Sequence, residues 1–288
     1  MNATPPPPSA DPWPPKAYKN DAFLNSPEAR KIRVLCEMTE PEIRFARENI
    51  QDTIVFFGSA RSVDLKAAEE HFQSVKAQIG NKTDLSPEEA VALRKARALL
   101  KLAPYYQAAV ELSEAMTRWT MSLEDKTRRF IVCTGGGPGM MEAANRGAHN
   151  AGSPTIGLGI SLPFEQELNQ YVTPDLQFEF HYFFIRKYWL AYWAKALVVF
   201  PGGFGTMDEL FELLTLEQTR KITKQMPIVL YGREFWEDIL NFEAFVDWGV
   251  ISPQDLSLFR ICDSVEEARD YLIEEFTRLY LTPPKVDA

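Results

Sequence analysis

The chain has 288 residues, a net charge of −9 and 45% hydrophobic residues, values typical of a soluble globular protein with one large core. The acidic balance disfavours a general nucleic-acid binder, because such proteins carry a basic surface. No apolar run reaches the ~18 residues of a membrane span, and the N-terminus lacks a secretory-signal pattern. Three separated cysteines and three histidines show no metal-ligand spacing. We therefore expect a cytoplasmic protein without a metal site.

The N-terminal part of the chain differs in composition from the rest. Residues 1–20 hold seven of the 20 prolines, which predicts a disordered or extended arm. Residues 21–52 predict an N-terminal helical extension, with helix-start signals at Ser26-Pro-Glu28 and at Thr39-x-x-Glu42. Residues 53–288 predict one α/β domain that carries a helical insert near residues 62–125.

Apolar runs alternate with amphipathic stretches through residues 53–288, which is typical of a parallel sheet flanked by helices. The runs are nearly continuous in Val, Ile and Phe, as expected for strands covered on both faces. Strands are predicted over 53–57, 129–134, 155–160, 177–180, 196–200, 227–231 and 259–262. Helices are predicted over 86–102, 104–121, 140–150, 185–194, 207–221, 236–248 and 265–281. The predicted fold is a Rossmann-like parallel sheet of about seven strands with helices on both faces.

Three of these strands end in small residues: Gly58-Ser-Ala-Arg61, Gly135-Gly-Gly-Pro-Gly139 and Pro201-Gly-Gly-Phe-Gly-Thr206. Ligands bind beyond the carboxyl ends of parallel strands, and glycine lets backbone N–H groups approach a ligand closely. A helix N-terminus after such a loop favours an anion. We therefore predict a phosphate-binding rim; the alternative is that these loops are only tight turns.

Two familiar nucleotide motifs are excluded. The segment from Gly135 lacks the Lys-Ser/Thr pair of a Walker A loop. It also lacks the third glycine of the G-x-G-x-x-G motif, because Met140 and Met141 follow Gly139. The sequence therefore fits a mononucleotide ligand better than NAD binding or ATP hydrolysis.

Two segments resemble the paired motifs of the Lonely Guy (LOG) family: Gly135 to Ala148, and Pro201-Gly-Gly-Phe-Gly-Thr-Met-Asp-Glu209. The chain resembles a longer, bacterial-type member of that family. The resemblance covers roughly residues 53–281. Members are phosphoribohydrolases that release cytokinin bases or adenine from nucleoside 5′-monophosphates. Such proteins have often been labelled lysine decarboxylases, but this sequence offers no argument for pyridoxal phosphate.

The resemblance implies roles for individual residues. Glu209 matches the catalytic carboxylate and Arg186 the catalytic arginine. The implied phosphate-binding residues are Gly202, Gly203, Gly205, Thr206, Gly136 and Gly137. Further substrate contacts are implied for Gly58, Ser59, Lys187 and Asp208. The resemblance also implies a homodimer or higher homo-oligomer. We expect no cofactor, metal, nucleic acid or membrane as a partner.

Several of these residues have a second interpretation. Thr206-x-x-Glu209 is also a capping box, so both residues can simply start a helix. Arg186 and Lys187 can form a solvated helix turn, and Arg61 can bind phosphate or a surface carboxylate. An aromatic run over residues 178–193 indicates a dimer helix, with base stacking as the alternative.

The predicted function is hydrolysis of the N-glycosidic bond of a nucleoside 5′-monophosphate, AMP or a cytokinin riboside monophosphate. The products are the free base and ribose 5-phosphate. The alternative is a non-catalytic carrier of a phosphorylated ligand such as molybdenum cofactor, for which the same glycine loops would serve.

Overall fold

A computed structural model describes residues 13–123, 129–161 and 167–282. Most of the predicted proline-rich arm, residues 1–12, lies outside the described residues. The strands are β1 (Thr53–Phe57), β2 (Ile131–Thr134), β3 (Ile156–Ile160), β4 (Gln177–Phe180), β5 (Ala194–Val199), β6 (Ile228–Tyr231) and β7 (Arg260–Cys262). The α-helices are α1 (Asp21–Leu24), α2 (Arg30–Arg47), α3 (Leu65–Ile79), α4 (Pro87–Met121), α5 (Met140–Asn150), α6 (Phe183–Tyr192), α7 (Phe204–Gln218), α8 (Arg233–Ile239), α9 (Phe242–Asp247) and α10 (Val265–Phe276).

The seven strands form one parallel sheet in the order β4-β3-β2-β1-β5-β6-β7. The chain builds outwards from β1 through β2 and β3 to β4. It then returns to the other side of β1, where Phe57 pairs with Val199 of β5. The strand order therefore reverses between β1 and β5, the position at which open α/β sheets bind ligands.

Alternation along the strands explains why helices cover both faces of the sheet. In β1, Val55 and Phe57 belong to one buried cluster, whereas Ile54 and Phe56 belong to another. Helices α2, α6, α7 and α8 contribute to the first cluster. Helices α4, α5 and α10 contribute to the second. The predicted α/β fold, with its N-terminal helical region, is confirmed.

Helix α4 differs from the prediction. Pro104 does not begin a second helix but lies inside one helix of 35 residues. Proline cannot donate a backbone hydrogen bond and normally breaks a helix. Here packing on both sides of Pro104 opposes the break: Ala96 lies against α3, and Tyr106 is the first of several buried residues against the sheet. The C-terminal half of α4 is thus part of the central core.

Two other helix boundaries were also predicted wrongly. Thr39 does not start a helix, because it lies within α2, where its hydroxyl donates to the carbonyl of Leu35 at 2.7 Å. Such back-bonding is the usual fate of a threonine inside a helix. The predicted helix over 236–248 is two helices, since Asn241 caps α9 by accepting from the N–H of Ala244 at 3.0 Å.

Among the described residues, no helix is both long enough and apolar enough to cross a membrane.

Gly147, inside α5, allows that helix to approach α4 closely. A Cβ at this position would lie 2.2 Å from the carbonyl oxygen of Val110 and 2.9 Å from the backbone nitrogen of Glu114. Helix propensity alone predicts that Gly147→Ala stabilises the protein by about 1 kcal/mol. The collision with the α4 backbone predicts the opposite, a loss of about 1–3 kcal/mol.

The free energy of unfolding, measured by denaturant titration, checks the prediction for Gly147→Ala. Gly205→Ala is the stability control, because a Cβ at that helical position would have nothing within 4 Å. Equal stabilities of the two variants would contradict the close-packing explanation.

Candidate active site

A cleft of about 640 Å³ opens beyond the carboxyl ends of β1 and β5. It lies where the strand order reverses, so topology alone predicts its position. Apolar side chains form a large part of its wall: Phe57, Met141, Met207, Phe235 and Ile239. Its polar and glycine lining consists of Gly58, Ser59, Arg61, Gly135, Arg186, Gly202, Gly203, Gly205, Thr206 and Glu209.

The backbone of Ser59 ties the three glycine loops together. Its N–H donates to the carbonyl of Pro201 at 2.9 Å, and its own carbonyl accepts from the N–H of Met140 at 3.0 Å. A Cβ on Gly139 would lie 2.3 Å from that Ser59 carbonyl, and the φ of Gly139 is +73°. Only glycine fits both the space and the dihedral angle. The loops after β1, β2 and β5 therefore form one packed unit.

The N-terminus of α7 opens into the cleft. Gly203 is its N-cap residue, and the first helical hydrogen bond runs from the N–H of Met207 to the carbonyl of Gly203 at 3.0 Å. No acceptor within the described residues engages the N–H groups of Phe204, Gly205 and Thr206. A Cβ at Gly203 or Gly205 would meet nothing within 4 Å. Three free N–H groups and the helix dipole thus face open space that is suited to an anion.

The capping-box interpretation of Thr206 and Glu209 is wrong. Both residues lie inside α7, and its N-cap makes no side-chain hydrogen bond. Thr206 is buried, and its Oγ1 would lie 2.1 Å from a Cβ on Gly202. The close turn of the loop onto the helix therefore requires glycine at 202. Glu209 lies more than one turn inside the helix and does not cap it.

Arg186 of α6 and Glu209 of α7 meet across the cleft wall. Nη2 of Arg186 donates to Oε1 of Glu209 at 2.9 Å, and the side chains are only 13% and 11% exposed. The guanidinium lies 5.2 Å from the ring centroid of Phe183, and Nη1 would lie 3.6 Å from a Cβ on Gly135. Nε of Arg186 is buried and has no hydrogen-bond partner within the described residues. The pair therefore brings a cation and a carboxylate to the wall shared with the glycine loops.

Burial raises the pKa of Glu209 to about 7. The positive charge of Arg186 opposes this rise, as does that of Lys187, whereas the neighbouring carboxylates of Asp208 and Glu212 add to it. The carboxylate thus exchanges its proton close to neutral pH, as a general base requires.

Lys187 and Asp208, predicted as further substrate contacts, do not line the cleft. Nζ of Lys187 binds Asp208 at 2.9 Å and Glu212 at 3.0 Å. These ion pairs join α6 to α7 outside the cleft. They hold together the two helices that carry Arg186 and Glu209.

Gly136 and Gly137 also lie away from the cleft lining, although their neighbour Gly135 belongs to it. Both are buried, and Nδ2 of Asn169 donates to each of their carbonyls at 3.0 Å. The same nitrogen donates to Oδ1 of Asn145 at 2.9 Å, which also accepts from Thr134 at 2.7 Å. These glycines therefore help to fix the conformation of the loop on the side that faces away from the cleft.

Sequence reasoning missed this buried amide network. Asn145 is fully buried inside α5. Two sequence features mark it: asparagine is an unfavourable helix residue, and residue 145 lies within the Gly135–Ala148 motif. Asn169 precedes the strand β4 by several residues and carries no sequence signal of its contact with the loop.

The β1 loop lies at the cleft as predicted, with Gly58 and Ser59 in its lining. Oγ of Ser59 accepts from the N–H of Arg61 at 3.1 Å, and Ser62 donates to the carbonyl of Ser59 at 3.0 Å. Arg61 also lines the cleft and makes no ion pair among the described residues. Among the described residues, Arg61 therefore does not form the surface salt bridge that was considered as its alternative role.

Comparisons with known proteins bear on this site. A family model described as "Possible lysine decarboxylase" matches residues 141–272, a little under half of the chain. That region includes Arg186 and Glu209. Arabidopsis thaliana LOG7, named a cytokinin riboside 5′-monophosphate phosphoribohydrolase, is 27% identical over 153 residues, which are 52% of this chain and 64% of LOG7. The resemblance to the LOG family is confirmed.

Two further LOG proteins match at similar levels. LOGL5 of Oryza sativa subsp. japonica, a probable enzyme of the same name, is 28% identical over 194 residues, covering 65% of this chain and 70% of LOGL5. Arabidopsis thaliana LOG6, also named as probable, is 29% identical over 153 residues, covering 52% of this chain and 71% of LOG6. The matched region thus spans 64% to 71% of these relatives' own length.

Among solved structures, the molybdenum cofactor binding protein from Rippkaea orientalis aligns with a TM-score of 0.42 and 19% identity over 59% of this chain and 86% of its own. The Moco carrier protein from Chlamydomonas reinhardtii aligns with a TM-score of 0.41 and 18% identity over 79% of this chain and 99% of its own.

Substitution of Arg186 tests the electrostatics of the buried pair. In Arg186→Met the side chain keeps its apolar volume but loses the charge that lowers the pKa of Glu209. We therefore expect this pKa to rise above its wild-type value of about 7. NMR titration of the Glu209 carboxyl carbon measures it.

Arg233→Met is the control for the Arg186 variant, because Arg233 forms exposed pairs with Glu237 and Asp263. Arg233 is not among the charges that shift the pKa of Glu209, so its removal should leave that pKa unchanged. A Glu209 pKa that stays the same or falls in Arg186→Met would contradict the pairing.

Proposed function

We propose that this protein hydrolyses the N-glycosidic bond of a nucleoside 5′-monophosphate, AMP or a cytokinin riboside monophosphate, to the free base and ribose 5-phosphate. The observation that carries the proposal is the buried Arg186–Glu209 pair in the same cleft as the free N-terminus of α7. The activity for which the LOG relatives are named supports the reaction class.

The phosphate is assigned to the α7 N-terminus. The N–H groups of Phe204, Gly205 and Thr206 can donate to its oxygens, and the helix dipole favours its charge. Arg61, exposed at the cleft, can supply a neutralising cation. Binding energy from the phosphate is remote from the bond that breaks, so it can orient the ribose.

Glu209 is assigned to the reacting carbon. Cleavage of the bond between C1′ and the base nitrogen places positive charge on the ribose, which a nearby carboxylate stabilises. Ionised Glu209 can also take a proton from the attacking water, whose oxygen bonds to C1′. The bonding electrons leave with the base, whose nitrogen takes up one proton and so balances the proton that the water gives to Glu209. Arg186 can bind ribose or phosphate oxygens with its planar guanidinium.

The direct test incubates the wild-type protein with a panel of nucleoside 5′-monophosphates. Chromatography should show a free base and ribose 5-phosphate in equal amounts. Binding of a monophosphate without any released base would instead identify a carrier of phosphorylated ligands.

Glu209→Gln tests the assigned carboxylate, because the amide keeps the size of the side chain but cannot accept the proton. We expect turnover to fall at least about 100-fold while the fold is retained. Glu274→Gln, which removes an exposed carboxylate of α10 outside the cleft lining, is the control and should stay near wild-type activity. Turnover by a folded Glu209→Gln variant at the wild-type rate would exclude the role.

We also propose that two copies pair through α6, as the aromatic run indicates. Its buried aromatic residue Trp189 belongs to the core, whereas Phe184, Tyr188 and Tyr192 are 61%, 41% and 57% exposed along one stripe. Exposed aromatic stripes of this kind are typical of homodimer interfaces.

Light scattering tests the pairing, since a dimer has twice the chain mass of 32.8 kDa. Tyr188→Asp should lower the measured mass to that of one chain, because an unpaired carboxylate is costly in an apolar interface. Trp248→Asp, at another exposed aromatic residue, should leave the dimer intact. A wild-type protein with the mass of one chain at every concentration would contradict the pairing.

A further inference from the structure

Helix α6, which carries Arg186, is not capped at its N-terminus by its own sequence. Its N-cap residue Tyr182 makes no side-chain capping hydrogen bond. The C-terminal end is held differently, by Nζ of Lys224, which donates to the carbonyls of Ala191 and Tyr192 at 2.7 and 2.8 Å. The N-terminal end, three residues before Arg186 in sequence, therefore depends on a group from elsewhere.

Glu37 of α2 supplies that group. Its Oε1 accepts from the N–H of His181 at 2.9 Å, and its Oε2 accepts from the N–H of Tyr182 at 3.3 Å. Both carboxylate oxygens are thus used on consecutive N–H groups. A negative charge here also interacts favourably with the positive end of the α6 dipole.

The main chain of Glu37 makes a second contact with α6. A carbonyl inside a helix normally accepts from the N–H four residues later, but that residue is Pro41, which has no N–H. The indole Nε1 of Trp189 donates to the Glu37 carbonyl instead, at 2.9 Å. Residue 37 therefore binds the chain on both sides of Arg186, at His181 and Tyr182 just before α6 and at Trp189 within it.

Helix α2 is itself fixed to the sheet. Nη2 of Arg44 donates to the carbonyls of Asp175 and Gln177 at 2.8 and 2.9 Å, at the start of β4, and its guanidinium lies 4.0 Å from the ring centroid of Phe178. Phe45 of the same helix is buried in the core. Glu37 therefore projects from a helix whose C-terminal part is anchored to the sheet and the core.

We propose that Glu37 is a positioning residue for Arg186, through which the N-terminal extension holds α6 at the distance from α7 that the Arg186–Glu209 contact requires. The extension precedes the region that resembles the LOG family. The kinetic part of the proposal rests on the function proposed above, whereas its structural part does not.

Glu37→Gln is the test variant, because glutamine keeps the shape but has one acceptor oxygen and no charge. The control is Glu42→Gln, which removes an exposed carboxylate from the same helix. We expect kcat of Glu37→Gln to fall about tenfold and KM to change less than about twofold, because misplacement of a reacting group mainly affects the chemical step. Glu37→Asp, which keeps both oxygens, should recover part of the lost kcat.

The pH profile separates positioning from simple stabilisation. Around Glu209 lie Arg186 and Lys187 on α6, with Asp208 and Glu212 on α7. A looser α6 weakens the effect of Arg186, so the acidic limb of kcat should move to higher pH in Glu37→Gln. A variant with a lower Tm but the kcat and acidic limb of Glu42→Gln would overturn the proposal.

Hydrogen exchange tests the position of α6 without any need for turnover. It applies even if the wild type hydrolyses none of the nucleotides, a result that would contradict only the proposed function. Faster exchange of the amides of residues 183–189 in Glu37→Gln than in Glu42→Gln would support positioning of α6. Equal exchange rates in the two variants would overturn it.

Discussion

Transfer of Glu209 and Arg186 out of water costs several kcal/mol per charge, and their attraction offsets this cost only at hydrogen-bonding distance. The neighbouring contacts maintain that distance of 2.9 Å. Lys187 joins α6 to α7 on the outer side, and the Gly135 loop lies against the guanidinium on the inner side. Part of the burial cost remains as the raised pKa of Glu209, which lies near neutral pH.

The glycines at the cleft fall into two groups with different physical roles. Gly203 and Gly205 face open space, and their lack of a side chain leaves backbone N–H groups free for a ligand. Gly58 and Gly139 face neighbouring atoms closer than any Cβ permits, so they allow the three loops to pack together. One glycine-rich sequence pattern therefore contains both positions that face open space and positions that allow close packing.

The sequence predicted well those features that depend on local pattern. Continuous apolar runs identified the strands, and their parallel order placed the glycine loops at one edge. The family resemblance drew attention to Arg186 and Glu209, which the structure brings into contact. Capping signals were less informative, because Thr206 has the sequence of a cap but is packed within the helix.

Features that depend on tertiary contacts could not be predicted. Pro104 remains inside a helix because both halves of that helix are packed, which no local propensity reveals. The Asn145–Asn169 contact joins residues 24 positions apart in a buried network. The Glu37 contacts bridge about 145 positions, from a segment that composition alone marks only as helical.

The pairing of β1 with β5 also has a consequence for how this chain folds. The central strand pair joins Thr53–Phe57 to Ala194–Val199, so a loop of well over a hundred residues must close before the middle of the sheet exists. Closure of such a loop costs entropy that only the later contacts recover. During synthesis, the β1 edge of the sheet formed by β1 to β4 stays unpaired until β5 emerges. The cleft lies at that junction, so its geometry is established only after β5 has joined β1.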